Sequence, residues 1–369
     1  MRLGHLQFDI PFCQAGLAGY SDRAMRLVAR RRGCPYAVTE ALLDIIMLAG
    51  GLGLKRSIDI SAEDHPVAGQ IIGSEPATMA KAAVILARAG YDVIDLNFAC
   101  PVKKIRNKSR GGHMLGDVGR AVEILKSVRD AVPERVPTTL SLRRGFDDSA
   151  QSAERFFAIL DAAWSNGYAA ARVHGRSVEQ KYLGKADWSF LAGVKKRYPD
   201  QVIFGSGDVF TAEDAVRMLR QTHVDMIWIA RGAIGNPWIF RDAATLWKDP
   251  AAQLTAPTLY AQRDALAEHF ALAIQIHGEE LAGRRMRKAG IKYSRFHPNC
   301  QHVKNAFIAV RSLRDWTAVL NQWYSSDGPG VWPRANAADE VNDSAETADA
   351  ANPADPACSD GCALTSTTR

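Results

Sequence analysis

Long apolar runs and cysteine are both scarce in this chain of 369 residues. No window approaches eighteen apolar residues without a charge, which excludes a membrane-spanning helix, and the first ten residues lack the apolar core of a secretory signal. Six cysteines are too few for a disulfide-stapled scaffold, so we expect a reducing compartment, namely the cytoplasm. Hydrophobic residues at 47% and charged residues at 23% are ordinary for a globular protein.

The net charge of +6 is distributed unevenly along the chain. Residues 325–369 contain two basic and eight acidic residues, whereas the first 324 contain 44 basic and 32 acidic ones, a net of +12. The acidic end is rich in Ala, Asp, Ser and Pro and has few large apolar residues, so we predict a disordered C-terminal tail. A body this basic favours a polyanionic partner.

Short apolar runs alternate with stretches of helical periodicity through the first 240 residues. The count of eight strands, and the lack of a Gly-x-Gly-x-x-Gly turn after the first, favour an α/β fold of the (β/α)8 TIM-barrel type over a doubly wound sheet. We expect a catalytic barrel over 1–245, a small helical domain over 246–324 and the acidic tail over 325–369. The strands are predicted near 12–17, 36–40, 67–72, 92–97, 137–143, 169–174, 201–206 and 225–230.

The sharpest local feature is Asn97-Phe98-Ala99-Cys100-Pro101, which follows the fourth predicted strand. The carboxyl ends of barrel strands form the rim where barrel active sites lie, so Cys100 belongs to the candidate site. A buried structural thiol is the more common fate of a cysteine. An ordinary thiol, with a pKa of about 8.5, is protonated at neutral pH and suits a proton donor, whereas a nucleophile needs a lowered pKa and a nearby base. The residues alone leave these roles open.

Glycine-rich turns follow the seventh and eighth predicted strands, at Ser206-Gly207-Asp208 and Ala230-Arg231-Gly232. Turns of this kind that lead into helix N-termini are where barrels bind phosphate, and Arg231 adds a guanidinium. Either turn alone is typical of an ordinary βα loop, but the two together predict a phosphate site. His174-Gly175-Arg176, after the sixth strand, adds an imidazole and a second guanidinium to the same rim.

The stretch from Leu281 to Lys304 contains seven Lys or Arg residues and no acid. One interpretation is a solvated basic helix face. The other is a surface that contacts RNA phosphates, with Tyr293 and Phe296 available for stacking.

Together these features resemble the tRNA-dihydrouridine synthases, over about residues 11–324. The most specific part is the Asn-x-x-Cys-Pro-x-Lys-Lys segment that runs from Asn97 to Lys104. The other matching segments, in chain order, are Ala15-Gly16-Leu17-Ala18-Gly19, Thr39-Glu40, Pro66-Val67-Ala68-Gly69-Gln70, Arg110-Gly111-Gly112, Arg143-Arg144-Gly145, His174-Gly175-Arg176, Ser206-Gly207-Asp208 and Ala230-Arg231-Gly232-Ala233.

The resemblance implies an enzyme that holds FMN in the barrel, uses NADPH as electron donor and takes tRNA as substrate, partly through the helical domain. It also implies a monomer, without a metal or an obligate protein partner. In that family NADPH reduces FMN and the target uridine flips into the barrel mouth. Hydride then passes to C6 of uracil, and a cysteine, matched by Cys100, protonates C5.

The resemblance further implies roles for individual residues. Cofactor contacts are implied for Ala15, Gly16, Leu17, Gln70, Ser141, His174, Ser206, Gly207, Asp208, Ala230 and Arg231. Contacts with the uracil or the RNA are implied for Asn97, Lys103, Lys104, Arg143, Arg176, Arg285, Arg287, Lys288 and Lys292.

Ser141 departs most from the family pattern, which has lysine there, near the flavin edge that gains negative charge on reduction. Losing a charge-assisted hydrogen bond, worth about 1.5–3 kcal/mol, would slow that step roughly tenfold to a hundredfold. Gly16 also replaces a usual proline, and Ser206 a usual asparagine. Two alternatives therefore stay open: a catalytically weakened homologue that binds FMN and RNA, and a different FMN-barrel oxidoreductase that acts on a small molecule.

Overall fold

The structure is a computed structural model and describes residues 1–51, 54, 58–101 and 110–333. The chain opens with an antiparallel hairpin, β1 (Arg2–Leu3) and β2 (Leu6–Gln7). Eight parallel strands then form a barrel, which closes because the last of them pairs with the first. They are β3 (Phe12–Gln14), β4 (Ala37–Val38), β6 (Val67–Ile72), β7 (Val93–Phe98), β8 (Thr138–Arg143), β9 (Ala170–His174), β10 (Ile203–Ser206) and β11 (Met226–Ile229).

Helices cover the outside of the barrel and alternate with its strands. They are α1 (Arg23–Arg30), α2 (Asp44–Ala49), α3 (Pro76–Arg88), α4 (Val118–Ala131), α5 (Ala150–Ser165), α6 (Trp188–Arg197), α7 (Ala212–Thr222) and α8 (Ile239–Lys248). All eight predicted strands are present, so the predicted (β/α)8 barrel is confirmed.

The second predicted strand is shorter than its sequence suggests and resumes as β5 (Leu42–Leu43). Both β4 and β5 pair with β6, at opposite ends of it. Between them, the Thr39 N–H donates to the carbonyl oxygen of Ala68, and the Gln70 N–H donates to Thr39 Oγ1. Neither β5, α2 nor the N-terminal hairpin was predicted, because two-residue strands and a single short helix are too brief to show a hydrophobic period.

Alternation along the strands separates an outer core from the inside of the barrel. In β9, Ala171 and Val173 belong to the large cluster under the helices, whereas Ala170 belongs to a second cluster with Phe204 and Met226. Leu3 and Phe8 of the N-terminal segment join this second cluster. The hairpin therefore closes the N-terminal end of the barrel, and the opposite end carries the polar residues.

Four further helices follow the barrel: α9 (Leu259–His277), α10 (Glu279–Tyr293), α11 (Cys300–Ala309) and α12 (Leu313–Trp323). Their apolar faces form a third cluster, which also includes Ala24 of α1 and Trp238 before α8. Glu268 of α9 pairs with both Arg31 and Arg32 at the end of α1, at 2.6 and 2.7 Å. The helices are thus fixed against the barrel by apolar contact and by charge. The predicted domain boundaries, after residues 245 and 324, stay predictions.

The first residues of the predicted tail, 325–333, are ordered against the helical domain, so the prediction of disorder from 325 onward is corrected for them. The Leu259 N–H donates to the Gly328 carbonyl at 2.9 Å, and the Val331 N–H donates to the Phe296 carbonyl at 2.9 Å. Asp327 Oδ1 accepts the N–H of Tyr260 at 3.0 Å. Two of these bonds join backbone groups and the third uses a carboxylate, and a composition low in apolar side chains reveals none of them. The rest of the predicted tail, with Cys358 and Cys362, lies outside the described residues.

Candidate active site

The carboxyl end of the barrel holds a hydrogen-bonded network across three neighbouring strands. Asp95 of β7 is buried at its centre, and its two oxygens accept hydrogen bonds from Gln70 Nε2 at 2.7 Å, Thr139 Oγ1 at 2.6 Å and Ser141 Oγ at 2.8 Å. Burial raises the pKa of Asp95, and the three hydrogen bonds oppose that rise. Asn97 extends the network, since its Nδ2 donates to Gln70 Oε1 at 2.8 Å.

The turn that carries Cys100 is held from two sides. Asn97 Oδ1 accepts the N–H groups of Ala99 and Cys100, at 2.9 and 3.0 Å, so the strand ends in a side-chain-capped turn. From the other side the Gly112 N–H donates to the Cys100 carbonyl at 2.9 Å. A Cβ on Gly111 would lie 2.9 Å from that carbonyl oxygen, which explains the paired glycines of the predicted motif. Cys100 is partly exposed and forms no disulfide.

Arg143 lies beneath this turn and is bound by carbonyl groups. Its Nε donates to the Ala99 carbonyl at 2.8 Å, and an Nη donates to the carbonyls of Ser177 and Lys181, at 2.9 and 2.6 Å. Burial lowers the pKa of Arg143 to about 10. The predicted contact of Arg143 with uracil or RNA stays a prediction, and in the described residues its guanidinium joins the Cys100 turn to the loop after β9.

The predicted phosphate turns meet around Asp208. Asp208 Oδ1 lies 2.8 Å from Arg176 and 3.3 Å from Arg231, so one carboxylate is shared by two guanidinium groups. The backbone of Asp208 is left-handed, with φ 54°, and its other oxygen accepts the Ala186 N–H at 2.7 Å. Arg176 pairs with this carboxylate from outside the pocket, and Arg231 lines the pocket, where its guanidinium could contact a phosphate. Its lining residues are His174, Ser206, Gly207, Asp208, Val209, Phe210, Trp228, Ala230 and Arg231.

His174 is held as a neutral imidazole beside this pocket. Burial lowers its pKa well below the ordinary value, and the nearby guanidinium groups lower it further. These are the guanidinium groups of Arg143, Arg172, Arg176 and Arg231. His174 Nδ1 accepts the Arg176 N–H at 3.1 Å, so the single proton resides on Nε2. His174 therefore presents a neutral hydrogen-bond donor.

The loop after β3 approaches the backbone of Thr39, directly after β4, very closely. A Cβ on Gly16 would lie 2.2 Å from the Thr39 carbonyl oxygen, so this backbone path admits only glycine. Leu17 is held by Ser21, whose Oγ accepts the Leu17 N–H at 2.7 Å, and the Ala15 N–H donates to the Ile229 carbonyl. Glycine in place of the usual family proline is thus matched by the close approach of the Thr39 carbonyl.

The predicted RNA contacts separate into two groups on α10. Lys292 is only 8% exposed and Arg285 reaches Asp22 of the barrel at 3.6 Å, so both face the barrel–helix interface. The contacts of Lys292 and Arg285 with RNA stay predictions. Arg287 and Lys288 are partly exposed and remain predicted RNA contacts. Lys103 and Lys104 lie outside the described residues.

Two charged residues of the barrel interior were not predicted as site residues, Asp95 and Arg172. Both lie on the inner face of a strand, where the alternation places Asp95 level with Gln70 and Arg172 level with Ser141. A charged residue at an inward position of a barrel strand is costly unless it has a function, and that signal was available in the sequence.

Comparison with known proteins decides the family. The sequence model described as Dihydrouridine synthase (Dus) matches residues 13–325. The chain belongs to the dihydrouridine synthase family. The tRNA-dihydrouridine synthase B of Pseudomonas aeruginosa is 31% identical over 334 residues, which cover 90% of this chain and 98% of that protein. The enzyme of the same name from Xanthomonas campestris is 31% identical over 92% of this chain and all of its own length.

Solved structures with a similar fold add support for the barrel of this dihydrouridine synthase. A morphinone reductase mutant in complex with tetrahydroNAD superposes with a TM-score of 0.52, at 12% identity, over 68% of this chain and 90% of that one. Histamine dehydrogenase from a Rhizobium species gives 0.50, at 13% identity, over 74% of this chain and half of that one. At such identities the likeness concerns the fold alone. The family predicted from the motifs is confirmed.

Two other kinds of feature, a membrane-spanning helix and a metal-binding cluster, are absent from the described residues. No helix in these ranges is long and apolar enough to cross a membrane. Among the same residues, no group of three or more His, Cys, Asp or Glu side chains is placed to bind a metal ion.

Proposed function

We propose that this protein reduces the C5–C6 double bond of specific uridines in tRNA to dihydrouridine, with FMN bound in the barrel mouth and NADPH as electron donor. The observation that carries the proposal is the turn after β7, which fixes Cys100 at the rim through Asn97, Gly112 and Arg143. Family membership supports the reaction class. The hydride donor, the monomeric state and the cytoplasmic location are proposals that rest on the family resemblance.

The residues of the rim fit an FMN molecule. The pocket around Asp208 is lined by both glycine-rich turns and by Arg231, and Arg176 pairs with the Asp208 carboxylate, so the pocket suits the phosphate group. The Nε2–H of the neutral His174 imidazole can donate a hydrogen bond to the cofactor. Hydrogen bonds to Asp95 and Asn97 fix the orientation of the Gln70 side-chain amide. When bound, FMN would supply the hydride that reaches C6 of uracil.

Cys100 would supply the matching proton. Its Sγ holds a proton that passes to C5 of uracil as C6 receives the hydride, so the base gains one hydride and one proton and the thiolate recovers a proton from water. The hydrogen bonds to the N–H and carbonyl of Cys100 fix the backbone that carries this thiol at the rim. A uridine would have to leave its stack to reach this depth, as base-modifying enzymes require.

The basic body would attract the RNA. The first 324 residues carry a net charge of +12, and Arg287 and Lys288 lie partly exposed on α10. Lysine and arginine contacts with phosphates release counterions and make binding depend on salt. Binding of tRNA should therefore weaken steeply as salt is raised.

The test is the dihydrouridine content of tRNA, measured by nucleoside mass spectrometry. Unmodified bulk tRNA is incubated with the purified FMN-loaded protein and NADPH. We expect product from wild type, and at least a hundredfold less from Cys100→Ala, since a positioned general acid contributes roughly 10²–10⁴-fold. Cys300→Ala is the matched control, because Cys300 is an exposed free cysteine at the start of α11, outside the barrel strands and their loops.

The alternative is a homologue that binds FMN and RNA but turns over weakly, a possibility raised by Ser141. It predicts no product from wild type although both ligands bind, and product from Ser141→Lys. Equal product from wild type and Cys100→Ala would contradict the role of Cys100. A protein that oxidises NADPH with a small enone but fails to bind tRNA would favour the second alternative, an FMN barrel for small molecules.

A further inference from the structure

Arg172 is a charged side chain inside the barrel that the proposed reaction has not yet used. It lies in β9, level with Ser141 of β8. Because Ala171 and Val173 point to the outer core, alternation places Arg172 on the inner face, two residues below His174 and roughly 6.6 Å along the strand. Arg172 is partly exposed.

Within the described residues, the surroundings of Arg172 offer its charge an aromatic ring but no carboxylate in an ion pair. Its guanidinium lies over the Trp228 ring, 4.3 Å from the centroid. Its Nε is buried and has no hydrogen-bond partner among the described residues, and no carboxylate in those residues forms an ion pair with it. Asp95 is the carboxylate with the largest electrostatic effect on Arg172. Its oxygens already accept hydrogen bonds from Thr139, Gln70 and Ser141.

A desolvated guanidinium in this position costs free energy unless a further group accepts its hydrogen bonds and balances its charge. Burial and the repulsion of Arg143 lower the pKa of Arg172 to about 10, while Asp95 opposes that change. The group is therefore still charged at neutral pH and still desolvated, and buried charges are normally paired. Leu3 and Phe8 of the N-terminal segment close the opposite end of the barrel, so a partner for this inward-facing side chain would enter from the barrel mouth.

The chemistry of the mouth narrows the class of that ligand. The phosphate pocket begins one strand away, at β10, and the Trp228 ring covers one face of Arg172. A ligand anchored by phosphate at this pocket and extending inward would present its ring end to Arg172. The partner of a planar guanidinium must be a carbonyl or an anionic edge.

We propose that Arg172 contacts the pyrimidine edge of the bound flavin and stabilises the negative charge that reduction leaves there. Transfer of a hydride to the flavin adds two electrons and one proton, so one negative charge stays on the ring unless a second proton follows. Ser141 cannot carry a compensating charge, and its Oγ is already bonded to Asp95. The positive charge near the flavin thus comes from Arg172 of β9, since β8 has Ser141 where the family pattern has lysine. This inference rests on the proposed FMN site.

The test is the reduction potential of bound FMN, measured against a reference dye in the purified holoprotein without RNA. We expect Arg172→Met to lower the ratio of reduced to oxidised flavin at a fixed potential about tenfold, which equals about 30 mV for a two-electron couple. Arg172→Lys should stay close to wild type. Arg197→Met is the matched control, since Arg197 lies over Phe157 on the outer surface of α6.

A double variant separates charge from shape. If Arg172 acts through its charge, Ser141→Lys combined with Arg172→Met should restore the potential, because it returns a cation to the neighbouring strand. A potential in Arg172→Met equal to that in Arg197→Met would overturn the inference. If Arg172→Met releases FMN altogether, the inference stands only when the double variant regains both FMN and the potential.

FMN retention and the reduction potential together distinguish failure of this inference from failure of the proposed function. Wild type that retains no FMN at all contradicts the proposed function itself. Wild type that retains FMN, with an Arg172→Met potential unchanged, contradicts only the role of Arg172. The reduction potential requires neither tRNA nor Cys100, so the two outcomes are independent.

Discussion

Gly16 shows how a single residue can fix the path of the chain beside a site. Its missing Cβ is what allows the Thr39 carbonyl to approach, since a Cβ would lie 2.2 Å from that oxygen. The contact joins the loop after β3 to the segment between β4 and β5. That junction lies close to Gln70, whose Oε1 would be 3.5 Å from the same Cβ.

We expect Gly16→Ala to lower the free energy of unfolding by about 1–3 kcal/mol, the usual cost of forcing extra atoms into a packed region. FMN binding should weaken as well, because Gln70 shifts. The measurement is a urea titration of the wild type and variant. Gly193→Ala in α6 is the control: no atom lies within 4 Å of its Cβ position, and alanine there should stabilise by roughly 0.5–1 kcal/mol. A Gly16→Ala protein as stable as wild type would mean that Thr39 moves aside at no cost.

Single residues also mark the limit of what the sequence reveals. Arg172 stands between alanine and valine in a short strand, and only the pairing of β9 with β8 brings it level with Ser141. Lys292 looks like its basic neighbours in sequence. It lies seven residues after Arg285, on the same helix face as buried Ala289, and helical periodicity applied to α10 would have predicted its burial.

The turn after β7 is the element on which the site depends most. Asn97 alone accepts two backbone N–H groups and donates to Gln70. The sequence predicted this segment as a site, because asparagine, cysteine and proline after a strand are unusual together. It did not predict that Gly111 and Gly112 fold back against Cys100, since that contact joins residues ten or more positions apart.

We expect Asn97→Ala to leave the Ala99 and Cys100 N–H groups unsatisfied, at a cost of about 1–3 kcal/mol in stability. Activity should fall further than FMN affinity, because the position of Cys100 is lost. Asn97→Asp separates the two functions of the side chain, since it keeps the acceptor for the turn and loses the donor to Gln70. Unfolding curves and dihydrouridine formation for both variants provide the check. Normal turnover by Asn97→Ala would show that the turn holds without its cap.

Barrel strands were easier to predict than the elements between them. The eight strands have apolar runs that end in glycine or polar residues, and such punctuation survives in the sequence. In contrast, β5 and α2 together span only Leu42–Ala49, and their pairing with β6 follows from the closure of the whole barrel. Local sequence does not contain that information.

At the scale of the molecule, Asp22 connects the barrel to the helical domain. Its Oδ2 lies 2.7 Å from His277 Nε2, and its Oδ1 accepts the Met25 N–H at the start of α1. Burial alone would raise the pKa of Asp22, but the hydrogen bond from His277, the charge of His269 and the Met25 N–H together lower it to about 2. A lowered pKa means that the ionised form is bound more tightly in the folded state.

The stabilisation from Asp22 should be complete above pH 4 and should disappear as the pH falls from about 4 through 2. Over that window wild type should lose roughly 2 kcal/mol that Asp22→Asn, which keeps the helix cap, does not lose. Urea midpoints at pH 2–5 measure the difference between the two proteins. Asp264→Asn, which removes an exposed acid of α9, should titrate in parallel with wild type. Parallel curves for Asp22→Asn and wild type would contradict this account of the interface.

The ties between barrel and helices also bear on how the protein melts. Glu268 holds Arg31 and Arg32, Arg295 donates to the Ile234 carbonyl, and Trp238 belongs to the same apolar cluster as α9–α12. Neither part can detach without exposing apolar surface and separating paired charges. Heat should therefore be absorbed in a single calorimetric peak, with the van't Hoff and calorimetric enthalpies equal, although the chain contains two architectures.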